Sequence, residues 1–215
     1  MADSSTIRSS DRARGAGRAR LGYSAAVAQY LALLRGINVG GNNIIRMLDL
    51  KACFDALGLG AVSTFIQSGN VLFEAPQQRA SGLAAKIEAG LSERFAYQSR
   101  IVLRSHAQLR AIVADAPTGF GTEPDVYRYD VIFLREPFTA VEAMRDFPVR
   151  EGVDRAYQGD GVCYVSRLIS RASQSYMSKI ITLPGYQSMT IRNWNTTVRL
   201  HALMDARASH VSEAL

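Results

Sequence analysis

The sequence YLALLRGINVGGNNIIRM, residues 30–47, passes from an apolar run into a turn rich in glycine and asparagine. The apolar run has strand character and ends at Leu34. Beyond the turn, apolar residues recur at helical spacing, at Met47, Leu50, Phe54 and Leu57. A strand that enters a helix through such a turn presents free backbone N–H groups at the helix N-terminus, where an anion can bind. We therefore expect this turn to be part of the functional site.

The chain around this turn follows a regular order of elements. We predict strands at 27–34, 62–67, 70–74 and 100–104, and helices at about 46–58 and 80–95. The nearly continuous apolar residues of the first strand indicate burial on both faces, and Ser68-Gly69 indicates a two-residue hairpin turn. This β-α-β-β-α-β order is that of the ferredoxin-like arrangement, in which two helices cover one face of a four-stranded antiparallel sheet.

The second half of the chain repeats this order less clearly. A short helix over 105–114, capped by Ser105, leads to the loop 116–125, APTGFGTEPD, which is the expected domain boundary. The later elements are predicted as strands at 127–134, 150–157, 161–167 and 190–192, helices at 139–146 and 196–207, and a helical turn at 175–181. We therefore predict an α+β fold of two packed ferredoxin-like halves, the second less regular, and an internal duplication is plausible. The predicted domains are 27–115 and 125–208, followed by a flexible C-terminus at 209–215.

The net charge of +6 does not by itself indicate nucleic acid binding. Residues 1–26 contain five arginines and two aspartates and so hold half of that charge, which leaves only +3 on the rest of the chain. This first segment is rich in Ser, Ala, Arg and Gly, and we expect it to be a disordered tail. It is either a dispensable extension, which we favour, or a transit peptide.

Hydropathy and cysteine usage indicate the class of protein. The chain contains no apolar run of the length that a membrane-spanning helix needs. Cys53 and Cys163 lie far apart with no metal-ligand spacing around them, and we expect both to be reduced core residues. A cytoplasmic protein without a membrane partner is therefore expected.

Three polar clusters interrupt the apolar pattern. The cluster in the glycine-rich turn comprises Arg35, Asn38, Gly40, Gly41, Asn42 and Asn43. The cluster in the first hairpin comprises Gln67, Ser68, Gly69 and Asn70. The cluster at the start of the last helix comprises Arg192, Asn193, Trp194, Asn195 and Thr196. Because antiparallel neighbours bring opposite-running strand ends to one edge of a sheet, we expect Arg35 and Asn70 to lie close together.

Two interpretations of these clusters remain open. In the functional one, the clusters form a single site with an arginine fork for a phosphate or carboxylate, backbone N–H groups and orienting amides. In the structural one, the glycines and asparagines only form turns and cap helices. Asn193 or Asn195 would then cap the last helix, and Trp194 would be a core anchor.

The sequence contains little that indicates catalysis. His106, His201 and His210 have no partner pattern, and the chain lacks H-E-x-x-H, C-x-x-C, G-x-S-x-G and Walker motifs. We therefore expect no metal site, and the sequence assigns neither a reaction nor a cofactor. Any catalysis would depend on positioning by arginine, lysine and amide groups. Lys179, one of only three lysines in the chain, is the best lysine candidate, although a solvated helix position is the alternative.

Three stretches carry a family resemblance: ALLRGINVGGNNIIRM, TFIQSGNVLF and, near the C-terminus, SKI followed by TIRNWNTTVRL. In these stretches the chain closely resembles an uncharacterised, mainly bacterial family, domain of unknown function 1697, over about residues 28–206. The resemblance implies a two-part α+β fold of packed ferredoxin-like halves and no settled activity. The family-typical polar positions that it carries over are Arg35, Asn38, Asn42, Gln67, Ser68, Asn70, Ser178, Lys179, Arg192, Asn193, Trp194, Asn195 and Thr196. The segment 165–177, VSRLISRASQSYM, departs from the family pattern, which resembles a Pro/Gly-containing loop before Ser-Lys.

The leading functional hypothesis is an interdomain polar site for a phosphate-bearing or other anionic small molecule. Its charge would come from Arg35, Lys179 and Arg192. Nucleic acid binding through the basic tail and the aromatic residues of the first sheet is an alternative, although the hairpin strand lacks the aromatic pattern of RNA-binding sheets. Those aromatic residues are Tyr30, Phe65 and Phe73. A protein-interaction adaptor is the third hypothesis.

Overall fold

The computed structural model describes residues 26–38 and 43–213. The first half comprises β1 (Val27–Leu34), α1 (Met47–Ala56), β2 (Gly60–Phe65), β3 (Asn70–Pro76), α2 (Ala80–Phe95) and β4 (Ile101–Ser105). Its strands form one antiparallel sheet in the order β2-β3-β1-β4. A split β-α-β arrangement has this order, because each helical crossover leaves room for one strand between the two that it connects.

The second half has the same strand order with less regular connections. It comprises α3 (His106–Ala114), β5 (Tyr127–Leu134), α4 (Ala140–Arg145), β6 (Asp154–Gly159), β7 (Val162–Leu168), β8 (Met189–Asn193) and α5 (Trp194–Glu213). The order of its sheet is β6-β7-β5-β8. Three short 3₁₀ helices, Ile169–Gln174, Met177–Thr182 and Pro184–Ser188, replace the second crossover helix. The predicted α+β class with two packed halves, the second less regular, is confirmed.

The residues of β1 alternate between two hydrophobic cores. Tyr30, Ala32 and Leu34 pack in the core that α1 and α2 cover, whereas Leu31 and Leu33 pack in a second core. This alternation follows from the two-residue period of a strand. Since both sets are buried, the prediction that the first strand is covered on both faces is confirmed.

The second core joins the two halves. Strands of both sheets contribute apolar side chains to it, and α3 and α5 add Leu109, Ile112, Leu200 and Met204. A third core lies on the other face of the second sheet, beneath α4 and the 3₁₀ helix Met177–Thr182. Apolar burial of this extent is the main favourable term that holds the halves together.

The first hairpin differs from the prediction. Phe65 pairs with Asn70, so the turn spans the four residues 66–69 and the expected two-residue turn at Ser68-Gly69 is wrong. Ile66 and Gly69 have positive φ, at 50° and 73°, and the chain reverses between them. The Asn70 amide then donates to Phe65 O (2.9 Å) and Ser68 Oγ (3.0 Å) and holds the turn closed.

The last helix begins earlier and ends later than predicted. α5 begins at Trp194 because the Asn193 side chain accepts a hydrogen bond from Thr196 N (2.7 Å), which is the contact of an N-cap residue. It continues to Glu213, so residues 209–213, expected to be a flexible end, are helical. The tail expected at 1–26 lies outside the described residues except for Ala26, and the domain boundaries at 115 and 125 stay predictions.

In the described part of the chain, no helix has the length and apolar character to cross a membrane. Cys53 and Cys163 are buried free thiols in two different cores, which confirms their expected role.

Burial of Cys163 makes the stability of the fold sensitive to alkaline pH. Loss of hydration disfavours the thiolate and raises the pKa of Cys163 from 9.0 to about 11. Between these two values the unfolded chain releases a proton that the folded chain keeps, so the free energy of unfolding falls as pH rises. We expect Cys163→Ala to lower stability at neutral pH but to make this alkaline decline shallower. Urea unfolding of the wild type and of Cys163→Ala at about pH 8 and about pH 10 measures how far the free energy of unfolding falls in each protein. An equal fall in the two proteins would contradict a raised pKa at Cys163.

Candidate functional site

The ends of β1 and β3 meet the end of β8 at one place, which we call the polar corner: residues 34–38, 66–70 and Arg192. Leu33 pairs with Asn70 across the sheet, and Leu34 N donates to Gly69 O (2.8 Å). The predicted approach of the first turn to the first hairpin is therefore found in the structure.

Asn38 links the first polar cluster to the second. Its side-chain Nδ2 donates to Gln67 O (2.9 Å) in the hairpin and to Ile45 O (3.0 Å). Its Oδ1 accepts from Ile45 N (2.8 Å). Asn38 therefore holds the chain before α1 against the hairpin, and its amide groups are engaged by protein partners.

Arg192 links the second cluster to the third. Its Nε donates to Asn70 Oδ1 (2.5 Å), and its Nη2 donates to Leu34 O (3.0 Å) and Ser68 O (2.7 Å). The remaining Nη1 donates to Ile191 O (2.8 Å). These acceptors are neutral, and burial lowers the pKa of Arg192 to about 10. Arg192 thus fastens β8 of the second half to the first half.

Arg104 makes the reciprocal contact from the first half to the second. Its Nη2 donates to Leu134 O and Gly161 O (both 2.7 Å), and its Nη1 donates to Leu103 O (2.8 Å). Arg104 in β4 occupies the place that Arg192 has in β8, and burial lowers its pKa too. The two arginines are related by the pseudo-symmetry of the halves, which supports the internal duplication.

Arg35 is the arginine of the polar corner that has a side-chain donor without a hydrogen-bond partner. Its guanidinium carbon lies 4.3 Å from the centre of the Tyr186 ring, a cation–π distance. Its Nε is buried and has no hydrogen-bond partner. Among the residues that the structure describes, no carboxylate forms an ion pair with Arg35.

Positive φ angles concentrate around the polar corner. Asn38, Asn43 and Ile66 have φ of 53°, 47° and 50°, and Gly36 and Gly69 adopt the same region. A β-branched residue such as Ile66 is rarely found there, because its side chain crowds the backbone. Strained backbone of this kind clusters at binding sites, where the surrounding hydrogen bonds hold it in place.

Other residues predicted for the site lie elsewhere or are engaged. Trp194 packs edge-on against Phe120 (5.2 Å between ring centres) and lines, with Asn193 and Asn195, a cavity of about 360 Å³ beside Gly121. Thr196 is buried in the first turn of α5. The structure therefore gives Asn193 and Trp194 the capping and packing roles of the structural interpretation.

Two further predicted groups do not join the polar corner. Ser178 and Lys179 lie on the exposed face of a 3₁₀ helix, where Lys179 Nζ is 3.8 Å from the centre of the Tyr176 ring. Gly40, Gly41 and Asn42 lie outside the described residues.

Two cavities adjoin the corners of the halves. One of about 330 Å³ is lined by Asn38, Gln67 and residues 44–47, whereas Arg35 faces Tyr186 instead. A larger one of about 820 Å³ lies at the equivalent corner of the second half. The acidic side chains of Asp115, Glu136 and Asp160 line it, so its charge is unsuited to an anion.

Sequence reasoning missed two residues. One is Tyr186, which orients Arg35, and the other is Arg104. Neither residue stands in a polar cluster, and a tyrosine after Pro-Gly is unremarkable in sequence. The signal for Arg104 is its position: Arg104-Ser105 and Arg192-Asn193 both place an arginine before a helix N-cap at the end of a strand.

A family model described as a protein of unknown function, DUF1697, matches residues 27–164. The chain belongs to this family. The match covers more than half of this DUF1697 protein and includes two of the three segments of the polar corner, while Arg192 lies beyond it.

The fold of this DUF1697 protein is also found in a solved structure. The conserved bacterial protein SP0830 from Streptococcus pneumoniae is similar to it with a TM-score of 0.74 and 23% sequence identity, over 84% of this chain and 99% of that chain. At this level of identity the likeness shows the shared fold. No curated protein matches the chain.

Proposed function

We propose that this DUF1697 protein binds a small anionic molecule, such as a phosphate-bearing metabolite, against Arg35 at the polar corner. One observation carries the proposal: the buried Nε of Arg35 has no partner, and no described carboxylate balances its charge. A buried donor is normally paired, because leaving it unpaired costs free energy. Arg35 itself is only half-buried, so its guanidinium is open to an anion from one side. A bound anion would pair this donor and balance this charge.

Tyr186 and the other residues of the polar corner would position rather than contact the anion. Tyr186 stacks under the Arg35 guanidinium and orients its donors. Arg192 adds a second positive charge, but its nitrogens already donate to protein acceptors. Asn38 and Asn70 hold the two turns in place. The site would therefore be preorganised before the anion arrives, which reduces the cost of binding.

Binding of RNA by stacking on the first sheet receives no support from the burial of its aromatic residues. Tyr30 and Phe73 are buried in the first core, and Phe65 packs against the core between the halves. Single-stranded RNA needs such rings exposed on the sheet surface.

A protein-interaction role is a second candidate, because apolar side chains are exposed beside the polar corner. Ile44, Leu48 and Ile66 are 77%, 81% and 48% exposed. Ile44 and Gln67, the neighbour of Ile66, line the same cavity, and exposed apolar side chains near one another are typical of interaction sites. A pull-down tests this role: a partner that the wild-type protein recovers in stoichiometric amount should be lost with Leu48→Gln and kept with Arg35→Gln. The reverse pattern would count against this role.

A thermal-shift screen tests anion binding. We expect inorganic phosphate, sugar phosphates or nucleoside monophosphates to raise the melting temperature by about 5–10 °C when the best anion is present at about a hundred times its Kd. Arg35→Gln should abolish the shift, because it removes the charge while keeping a polar side chain. Chloride at matched ionic strength controls for screening.

Arg46→Gln is the matched control variant. Arg46 lies a short distance along the same loop, but its side chain is exposed and paired with Asp49. We expect it to keep the full shift. If no anion stabilises the protein, or if Arg35→Gln is stabilised as much as the wild type, the proposal is wrong.

A further inference from the structure

A cluster of two histidines and an aspartate lies between α3 and α5, the helices packed between the two sheets. His106 is the first residue of α3, and His201 and Asp205 are one turn apart on α5. Asp205 lies between the imidazoles: its Oδ1 is 2.7 Å from His106 Nε2, and its Oδ2 is 3.3 Å from His201 Nε2. One donor atom from each residue lies within 4.8 Å of the other two.

We propose that His106, His201 and Asp205 bind a divalent transition-metal ion, Zn²⁺ being the best match. Two imidazole nitrogens and one carboxylate oxygen are a ligand set that Zn²⁺ uses when it keeps a fourth position for water. Ligands about 2.1 Å from a tetrahedral ion stand about 3.4 Å apart, so small side-chain rotations suffice to place the ion. Nitrogen ligands favour such ions over Mg²⁺ or Ca²⁺.

The environment of His201 distinguishes this site from a plain His–Asp ion pair. Asp205 and His106 share a hydrogen bond, but His201 Nε2, although buried and 3.3 Å from Asp205 Oδ2, lies outside hydrogen-bond geometry. A buried imidazole nitrogen without a partner is unfavourable. A metal ion shared by the three side chains would engage this nitrogen and also tie α3 to α5. The site uses no residue of the polar corner. It differs from the sequence-based expectation of no metal site, which stays a prediction until the metal is titrated.

The sequence indicates only part of this metal site. His201 and Asp205 have the i, i+4 spacing that places two ligands on one helical face. His106 is 99 residues from Asp205, and only the packing of α3 on α5 brings it close.

Metal titration of the full chain tests the site. After dialysis against a chelator, Co²⁺ should bind with a stoichiometry of about one, give the visible absorption of a four- or five-coordinate ion, and be displaced by Zn²⁺. His106→Ala and His201→Ala should each weaken binding by about a hundredfold or more, since each removes a ligand. Mg²⁺ should not compete.

His210→Ala is the control, because it removes the remaining histidine of the chain and should leave binding unchanged. Should a ligand variant not fold, the wild type still decides the question by NMR: Zn²⁺ should shift the imidazole signals of two histidines together and leave the third unchanged. Unchanged Co²⁺ affinity in folded His106→Ala, or a Zn²⁺ response at His210 alone, would overturn the proposal.

Discussion

Replacing Arg192 with methionine should lower the free energy of unfolding by about 3–5 kcal/mol. The guanidinium donates to Leu34 O, Ser68 O and the Asn70 side chain, and all three acceptors would lose a partner at the contact between the halves. Methionine keeps the apolar stem of arginine, so the loss reports the hydrogen bonds rather than a cavity. Urea unfolding, followed by fluorescence, measures the difference.

Substitutions of two other arginines serve as controls for this result. Arg104→Met should destabilise the protein by a similar amount, because Arg104 makes the reciprocal contacts to Leu134 O and Gly161 O. Arg46→Met should change stability little, since Arg46 is exposed and pairs only with Asp49. If Arg192→Met lies within about 1 kcal/mol of the wild type, the hydrogen bonds of Arg192 do not stabilise the contact between the halves as described.

Gly69→Ala should destabilise the protein by about 2–4 kcal/mol and weaken anion binding. Gly69 has a φ of 73°, which an alanine adopts only at a cost. An added Cβ would also stand 2.8 Å from Leu34 Cβ and 2.7 Å from Ile37 Cδ1. Since the Leu34 backbone belongs to a central strand, it cannot move away, and the hairpin must shift from the polar corner.

Gly82→Ala is the matched control for this substitution. Gly82 lies in α2, and no atom stands within 4 Å of the position of an added Cβ. Alanine also has a higher helix propensity than glycine, so we expect a gain of about 0.5–1 kcal/mol. Thermal and urea unfolding of the two variants give changes of opposite sign if the corner is packed as described. A Gly69→Ala protein as stable as the wild type would contradict that packing.

Most of the fold follows from hydrophobic periodicity. α2 lies at 80–95 as predicted, because its apolar residues repeat at a constant helical spacing with polar residues between them. β5 likewise lies at 127–134. The first hairpin turn was mispredicted because Ser-Gly is a typical turn signal, whereas the reversal here depends on positive φ at Ile66, a residue type that rarely adopts it.

The site was less predictable than the fold. The sequence indicates that Arg35, Asn70 and Arg192 are unusual, and the structure brings them to one corner. The sequence does not indicate which donors are free. Arg192 and Arg35 are both arginines at strand ends, but only the packing of β8 against β1 shows that Arg192 is engaged. Tyr186 and the His106–His201–Asp205 cluster depend on contacts between distant segments, which periodicity cannot reveal.

The most direct test of the central claim observes the Arg35 Nε–H group itself. In a ¹⁵N-labelled chain, arginine Nε–H signals can be assigned by substitution and followed during titration with inorganic phosphate. We expect the Arg35 signal to shift saturably, because its Nε has no partner, and the Arg192 signal to stay in place, because its Nε is bonded to Asn70. An Arg35 signal that does not respond, while exposed arginines such as Arg46 do, would contradict an anion site at the polar corner.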